Sequence, residues 1–292
     1  MSLIARRDVL RFGAAGLCAS ALPSELFAAP KVPKIPIGLQ LYSIRDDCKK
    51  DFDGALKWVA EQGFEGVEFA GYYGYQNDAA GLRKKLDELK LKAAGTHIGA
   101  GALRGDALKK TVEFHKAIGC NFLIVPGDGD FTHPVKSKDF AEFMTKTAET
   151  LKAEGLSCGY HNHDREFTMK DGDKTYWDLF AERTSKDVIL QQDVGHTVFA
   201  GADPVAYVRK HPGRTKTTHI KGRLPKGAPP EAKPFVGQDT IKWKDLVTAY
   251  YEVGGTEWFI IEQENYPDGK TPMECTKISL DNFRKILGEM GK

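Results

Sequence analysis

Eight short apolar segments recur along this chain of 292 residues, and amphipathic helical patterns separate them. Neighbouring segments lie roughly 25 to 40 residues apart, the length of one strand–helix unit in an α/β fold. Eight units in unbroken rhythm predict an α/β fold of one domain, a (β/α)8 TIM barrel. An open doubly wound sheet is the alternative, but no G-x-G-x-x-G follows the first strand. The predicted strands are Ile35–Tyr42, Gly66–Ala70, Lys92–His97, Phe122–Pro126, Ser157–His163, Val188–Asp193, Thr217–Ile220 and Trp258–Glu262.

Helix-start signals between these segments support the same count. Asp203-Pro204 and Thr271-Pro272 each place a capping side chain directly before a proline, the residue preferred in the first helical turn. Glu274 lies three residues after Thr271, which is the spacing of a capping box.

The first thirty residues follow a different pattern from the rest. Arg6 and Arg7 precede the apolar run Phe12 to Leu22, and small residues follow at Ala28-Ala29. This arrangement is typical of an export signal, and the arginine pair resembles a twin-arginine (Tat) signal. We therefore predict a signal over residues 1–30, a barrel over 31–292, and a periplasmic or secreted protein. An amphipathic first helix is the alternative interpretation.

Charge and composition limit the partners of the chain. The formal net charge is +2, and the lysines and arginines are scattered rather than gathered in a stripe, which argues against nucleic acid. After the first thirty residues no apolar stretch is long enough to span a bilayer, so we expect no membrane association after signal removal. A homo-oligomer is possible, and no nucleotide cofactor is expected.

Four of the predicted strands end on residues that commonly bind metal ions. The segments LSCGYHNHD, VILQQDVGH, TKTTHIKG and WFIIEQE carry as their first such residues His161, Asp193, His219 and Glu262. Because the carboxyl ends of parallel barrel strands converge, these side chains should lie together. Imidazole with carboxylate suits one divalent ion such as Mn, Co, Zn or Fe. Since side chains alternate along a strand, His163 shares a face with His161, and Glu264 with Glu262; either member of each pair could ligate.

The same segments resemble the strand-end motifs of the sugar phosphate isomerase/epimerase group, the xylose isomerase-like TIM barrels. The resemblance rests on GYHNHDREF, QQDVGH, THIKGR and WFIIEQE, and it continues in LQLYSIRDD and GFEGVEFAG on the first two strands. It extends over nearly all of residues 36–290. The resemblance implies a small-molecule sugar substrate and metal ligands at His161, Asp193, His219 and Glu262. Many epimerases of this group carry a glutamate where this chain has His161, which puts a proton exchange between two glutamates in doubt.

Isomerisation, epimerisation or elimination beside a sugar carbonyl begins with removal of the adjacent proton. The resulting enediolate carries charge that a divalent ion can stabilise. Glu262 is the candidate base, and the partner acid is His163, Glu68 or Glu264. Candidates for substrate contact are His97, His196, Lys221 and Glu264.

The chain is thus predicted to be a divalent-metal-dependent sugar isomerase or epimerase. Export favours an unphosphorylated sugar or keto-glycoside as substrate. A keto-glycoside lyase or dehydratase shares the first step and stays open. Two minor alternatives are an apurinic-endonuclease-like hydrolase and a non-catalytic carbohydrate-binding barrel. The hydrolase would bind several zinc ions through His97, His161, His163, His196 and His219.

Overall fold

A closed barrel of eight parallel strands forms the centre of the protein in a computed structural model, which describes residues 34–292. The predicted export signal lies outside the described residues. The barrel strands are β1 (Ile37–Gln40), β2 (Gly66–Phe69), β3 (Lys92–His97), β4 (Phe122–Val125), β5 (Ser157–His161), β6 (Ile189–Asp193), β7 (Thr217–Ile220) and β8 (Trp258–Ile261). This arrangement confirms the predicted fold.

Each barrel strand pairs in parallel with the next one in the chain, and β8 closes the barrel against β1. The closure places Gly38 beside Ile260 on one side and beside Gly66 on the other. Sequential pairing brings the carboxyl ends of β5, β6, β7 and β8 side by side. The four predicted ligands therefore belong to adjacent strands.

Several strands are shorter than predicted, and at the end of β1 a local hydrogen bond starts the next turn. β1 stops at Gln40, whose side-chain oxygen accepts a hydrogen bond from the backbone N–H of Tyr42 at 3.1 Å. A 3₁₀ helix, Leu41–Ile44, follows at once. β5 ends at His161, so His163 lies just beyond the strand, and Glu262 directly follows β8.

Helices cover the outside of the barrel, as alternation of strand and helix requires. They are α1 (Arg45–Lys50), α2 (Phe52–Glu61), α3 (Ala79–Glu88), α4 (Gly105–Ile118), α5 (Lys136–Ala153), α6 (Arg165–Thr168), α7 (Tyr176–Arg183), α8 (Val194–Phe199), α9 (Pro204–Lys210), α10 (Trp243–Ala249) and α11 (Pro272–Glu289). A second 3₁₀ helix spans Ala100–Leu103, a π-helical turn spans Tyr250–Gly254, and a small hairpin joins Lys170–Asp171 to Lys174–Thr175.

The predicted helix starts are confirmed. Asp203 caps α9 by accepting hydrogen bonds from the backbone N–H groups of Val205 and Ala206. Thr271 and Glu274 form a complete capping box at the start of α11. Among the described residues, no helix combines the length and apolar character needed to cross a bilayer.

The apolar core has two layers. Two large clusters fill the space between the strands and the surrounding helices. A small cluster fills the barrel interior; it comprises Ala94, Phe122, Ile124, Ile189, Trp258 and Ile260. The interior is therefore apolar at this level, and the polar side chains described below lie nearer the carboxyl ends of the strands.

Candidate metal centre and its cavity

His161, Asp193, His219 and Glu262 come together at the carboxyl end of the barrel. Each offers one nitrogen or oxygen atom, and all four of these atoms lie within 4.8 Å of one another. Nδ1 of His219 is 2.9 Å from Oε2 of Glu262. All four side chains are buried, with at most 5% of the residue surface exposed.

The two carboxylate oxygens of Asp193 differ, because one caps a helix and the other makes no hydrogen bond. Its Oδ1 accepts a hydrogen bond from the backbone N–H of His196 at 2.7 Å, which caps α8. Its backbone N–H donates to Oδ1 of Asn162 at 3.0 Å. Oδ2 is buried without a hydrogen-bond partner. That atom lies 3.8 Å from Nδ1 of His219 and 3.9 Å from Nε2 of His161.

The four residues fit a transition-type divalent ion. Two imidazole nitrogens and two carboxylate oxygens form a mixed donor set that such ions accept. An unpartnered buried carboxylate oxygen is costly unless a charge compensates it. Oδ2 of Asp193 has no hydrogen-bond partner and lies near the two histidines, with the Lys221 ammonium 3.4 Å away, so an ion among the four side chains would add to the positive charge that compensates it.

Lys221 brings a positive charge to the same place. Its ammonium lies 3.2 Å from Oε2 of Glu262 and 3.4 Å from Oδ2 of Asp193, and it forms a short contact with Glu264. The side chain is only 1% exposed. Burial by itself would lower the pKa of Lys221, but the three carboxylates raise it above its usual value, so the ammonium stays charged.

The pKa values of the buried site residues follow their neighbours. Burial lowers the pKa of His219, but the carboxylates of Glu68 and Glu262 outweigh it and raise the value to about 10. Burial and the neighbouring rings of His219 and His97 hold the pKa of His161 well below its usual value. Burial opposes ionisation of Glu262, yet Lys221 and His219 hold its pKa well below the usual range.

Glu68 occupies the barrel interior and is fully buried. Its Oε2 accepts hydrogen bonds from Nε2 of Gln40 at 2.7 Å and from Nε2 of His219, and its Oε1 accepts one from Nε2 of Gln191 at 2.7 Å. Gly95 makes room for it, because a Cβ there would lie 2.8 Å from Oε1 of Glu68.

A cavity of about 330 Å³ adjoins the candidate ligands, and His161 and Glu262 are among its lining residues. Five of its lining residues are largely apolar: Tyr42, Ala70, Ile98, Gly99 and Pro126. The other seven are polar or charged: His97, His161, His163, His196, Lys221, Glu262 and Glu264. A lining of both kinds suits a ligand such as a sugar, which has hydroxyl groups and C–H faces.

The cavity wall includes every predicted substrate-contact residue: His97, His196, Lys221 and Glu264. Of the candidate acids, His163 and Glu264 line the cavity, whereas Glu68 does not. The five histidines named for a multi-zinc site do not act as one group. Within the described residues His163 and His196 belong to neither potential metal group, and His97 groups with His161 and His219.

Gln191 was not among the predicted site residues, yet it links several of them. Its Oε1 lies 2.8 Å from Nε2 of His97 and 3.0 Å from Nδ1 of His161. Strand alternation contained the signal, because Gln191 precedes Asp193 by two residues and so shares its face.

Comparison with known proteins agrees with the barrel fold. An inosose dehydratase from Geobacillus thermodenitrificans is 23% identical over 276 residues, covering 81% of this chain and 90% of that protein. A sugar phosphate isomerase/epimerase structure from Parabacteroides distasonis is 25% identical with a TM-score of 0.70, covering 86% of this chain and 98% of the other. An L-ribulose 3-epimerase structure shares the fold at a TM-score of 0.63 and 17% identity. The match covers 88% of this chain and 95% of the other.

By their names, these relatives are a dehydratase, a sugar phosphate isomerase/epimerase and a 3-epimerase. A family model described as xylose isomerase-like TIM barrel matches residues 56–286, most of the barrel. The chain therefore belongs to the xylose isomerase-like TIM barrel family.

Proposed function

We propose that this protein is a divalent-metal-dependent sugar isomerase or epimerase acting through an enediolate on an unphosphorylated sugar or keto-glycoside. The observation that carries the proposal is the group of four buried candidate ligands, in which Oδ2 of Asp193 has no hydrogen-bond partner. Two of these ligands, His161 and Glu262, line a cavity with the size and mixed polarity that a sugar requires.

His161, Asp193, His219 and Glu262 would hold the ion. When bound, the ion would supply Lewis-acid stabilisation of negative charge that develops on substrate oxygen. The protein's own residues supply the remaining functions.

Glu262 is the proposed base because its carboxylate borders the cavity in which the substrate would bind. His163 is the proposed acid that returns the proton. It lines the cavity, and its ring centroid lies 5.0 Å from that of His161. The Lys221 ammonium, 3.2 Å from Glu262, is placed to interact with a substrate oxyanion, and His97 and His196 to bind hydroxyl groups.

Two features favour an unphosphorylated substrate. The predicted twin-arginine signal would send the protein out of the cytoplasm, away from phosphorylated intermediates. Among the described residues that line the cavity, the only lysine or arginine is Lys221, and three carboxylates already pair with it. A phosphate group would find little uncompensated positive charge there.

Solvent exchange tests the proposal. The protein, loaded with Mn, Co or Zn, is incubated in deuterated water with a panel of unphosphorylated ketoses and 3-keto-glycosides. Deuterium should appear at a carbon beside the carbonyl, only with metal present. If neither exchange nor turnover occurs across the panel with any of the three ions, the enediolate proposal is wrong.

Variants at His163 separate its role from that of Glu262. We expect His163→Gln to retain deuterium exchange while product formation falls about 100-fold, since general acid catalysis contributes about 10²- to 10⁴-fold. Glu262→Gln should lose both deuterium exchange and product formation. Parallel loss of exchange and turnover in His163→Gln would contradict the proposed division of roles.

Dehydration is the second candidate reaction, and the similarity to inosose dehydratase favours it. Elimination begins with the same proton removal, after which an adjacent hydroxyl leaves with a proton from an acid such as His163. Loss of one water per turnover, detected by mass spectrometry, would identify this reaction. A nuclease or a carbohydrate binder would instead show no exchange next to a carbonyl.

A further inference from the structure

Glu68 and Gln191 form a buried hydrogen-bond network beneath the candidate metal centre. Both side chains are fully buried. The contact between Oε1 of Glu68 and Nε2 of Gln191 is 2.7 Å, and the same Nε2 lies 2.7 Å from Oγ1 of Thr217. The two amide hydrogens of Gln191 are therefore both used, and its orientation is set.

That orientation determines what the carbonyl oxygen of Gln191 can do. An ionised carboxylate only accepts hydrogen bonds, so Glu68 requires the amide nitrogen of Gln191 to face it. Oε1 of Gln191 then faces Nδ1 of His161 at 3.0 Å and Nε2 of His97 at 2.8 Å. Since Oε1 can only accept, both histidines must present N–H groups to it. His161 thus carries its proton on Nδ1, and Nε2 is left unprotonated.

Glu68 acts on His219 directly. Its Oε2 accepts a hydrogen bond from Nε2 of His219, so a proton is held on that nitrogen. Nδ1 is then the nitrogen of His219 that faces the other candidate ligands. It lies 2.9 Å from Glu262 and 3.8 Å from Asp193, while Nε2 of His161 lies 3.9 Å from Asp193.

We propose that Glu68 and Gln191 are positioning residues that select which ring nitrogens face the metal centre: Nδ1 of His219 and Nε2 of His161. Glu68 determines directly which nitrogen of the His219 ring carries a proton. It determines the same for the His161 ring through the amide of Gln191. The metal-binding consequence rests on the function proposed above, whereas the proton positions do not. Residues that orient metal-binding histidines in this way typically change metal affinity by about 10- to 100-fold when replaced.

Two variants break the network at different points. Gln191→Leu removes the acceptor that holds the proton on Nδ1 of His161. Glu68→Gln keeps the shape of the side chain but adds donor hydrogens, so the Nε2 proton of His219 is no longer required. We expect each variant to weaken binding of Co²⁺ about 10- to 100-fold by calorimetry.

Gln192→Leu is the matched control. Gln192 lies on the same strand, is 3% exposed, and bonds away from the site to the Pro204 carbonyl and the Tyr250 hydroxyl. Its replacement should disturb packing to a similar degree, yet we expect it to leave the Co²⁺ dissociation constant within about twofold of wild type, since its side chain hydrogen-bonds to none of the ligands.

Nitrogen-15 NMR of histidine-labelled, metal-free protein gives a readout that a purely structural role would not change. In the wild type, His161 should show a protonated Nδ1 and an unprotonated Nε2, and in Gln191→Leu this pattern should be lost. A wild-type His161 protonated on Nε2 would overturn the inference, and so would unchanged Co²⁺ affinity in Gln191→Leu. If the wild type bound no metal, the proposed function would fail, while the NMR pattern would still decide the proton assignment.

Discussion

Asp193 shows how one side chain can serve both the fold and the site. Oδ1 caps α8, and Oδ2 lies among the candidate ligands without a hydrogen-bond partner. Removing the whole side chain would therefore mix two effects. Asparagine separates them, because it is as good a helix cap as aspartate but lacks the negative charge.

We predict that Asp193→Asn loses stoichiometric metal while the metal-free protein keeps its fold. The amide can still cap α8, and Lys221 keeps its ion pairs with Glu262 and Glu264, so the free energy of unfolding should fall by less than the roughly 3–5 kcal/mol that an uncompensated buried charge costs. Elemental analysis and thermal unfolding without metal measure the two effects. Asp203→Asn, at the cap of α9, is the control and should keep its metal. Stoichiometric metal in Asp193→Asn would refute its assignment as a ligand.

At the scale of single residues, the ends of the predicted strands were the part of the sequence that located the candidate ligands. His161, Asp193, His219 and Glu262 could be named because each is the first ligand-type residue after an apolar run, and the structure brings all four together. Glu68 was named as an acid from its place at the end of a strand. The structure instead buries it between Gln40, Gln191 and His219, contacts that no local pattern specifies.

At the scale of elements, the connection from β7 to α10 contains a buried acid remote from the proposed chemistry. Oδ1 of Asp239 accepts hydrogen bonds from the backbone N–H of Ile241 and from Nε1 of Trp243, both at 2.9 Å. Oδ2 is buried without a hydrogen-bond partner. Burial raises the pKa of Asp239 to about 7.

This raised pKa predicts a pH-dependent loss of stability. Between about pH 4 and pH 7 the folded protein holds a proton on Asp239 that the unfolded chain has released, so stability falls as the pH rises through this range. Asp239→Asn keeps the Oδ1 acceptor and removes the titration. The free energy of unfolding of the variant minus that of wild type should rise by about 2–4 kcal/mol between pH 4 and pH 8.

Urea unfolding at the two pH values measures this difference. Subtracting wild type from variant cancels the titration of every other group that the substitution leaves undisturbed. A difference that stays constant with pH would show that Asp239 ionises normally in the folded protein.

At the scale of the whole molecule, the proposed ion should couple to folding, because an unfolded chain cannot bring together ligands from four strands. An ion at 100 times its dissociation constant should stabilise the protein by about 2.7 kcal/mol. For a barrel of this size that corresponds to a rise in Tm of about 5–10 °C. Differential scanning calorimetry with and without Co²⁺ measures it, and a chelator should reverse it. Asp193→Asn should show no shift, and absence of a shift in wild type would argue against a specific site.

The sequence by itself determined the barrel, its strand order and the residues at the strand ends. These features depend on hydrophobic periodicity and on the βα repeat, which are local along the chain. Only the tertiary structure decided that Glu68 lies away from the cavity, that Gln191 joins Glu68 to His161, and that Lys221 contacts three carboxylates. Such contacts join residues up to 123 positions apart, and they depend on how side chains from several strands share one enclosed space.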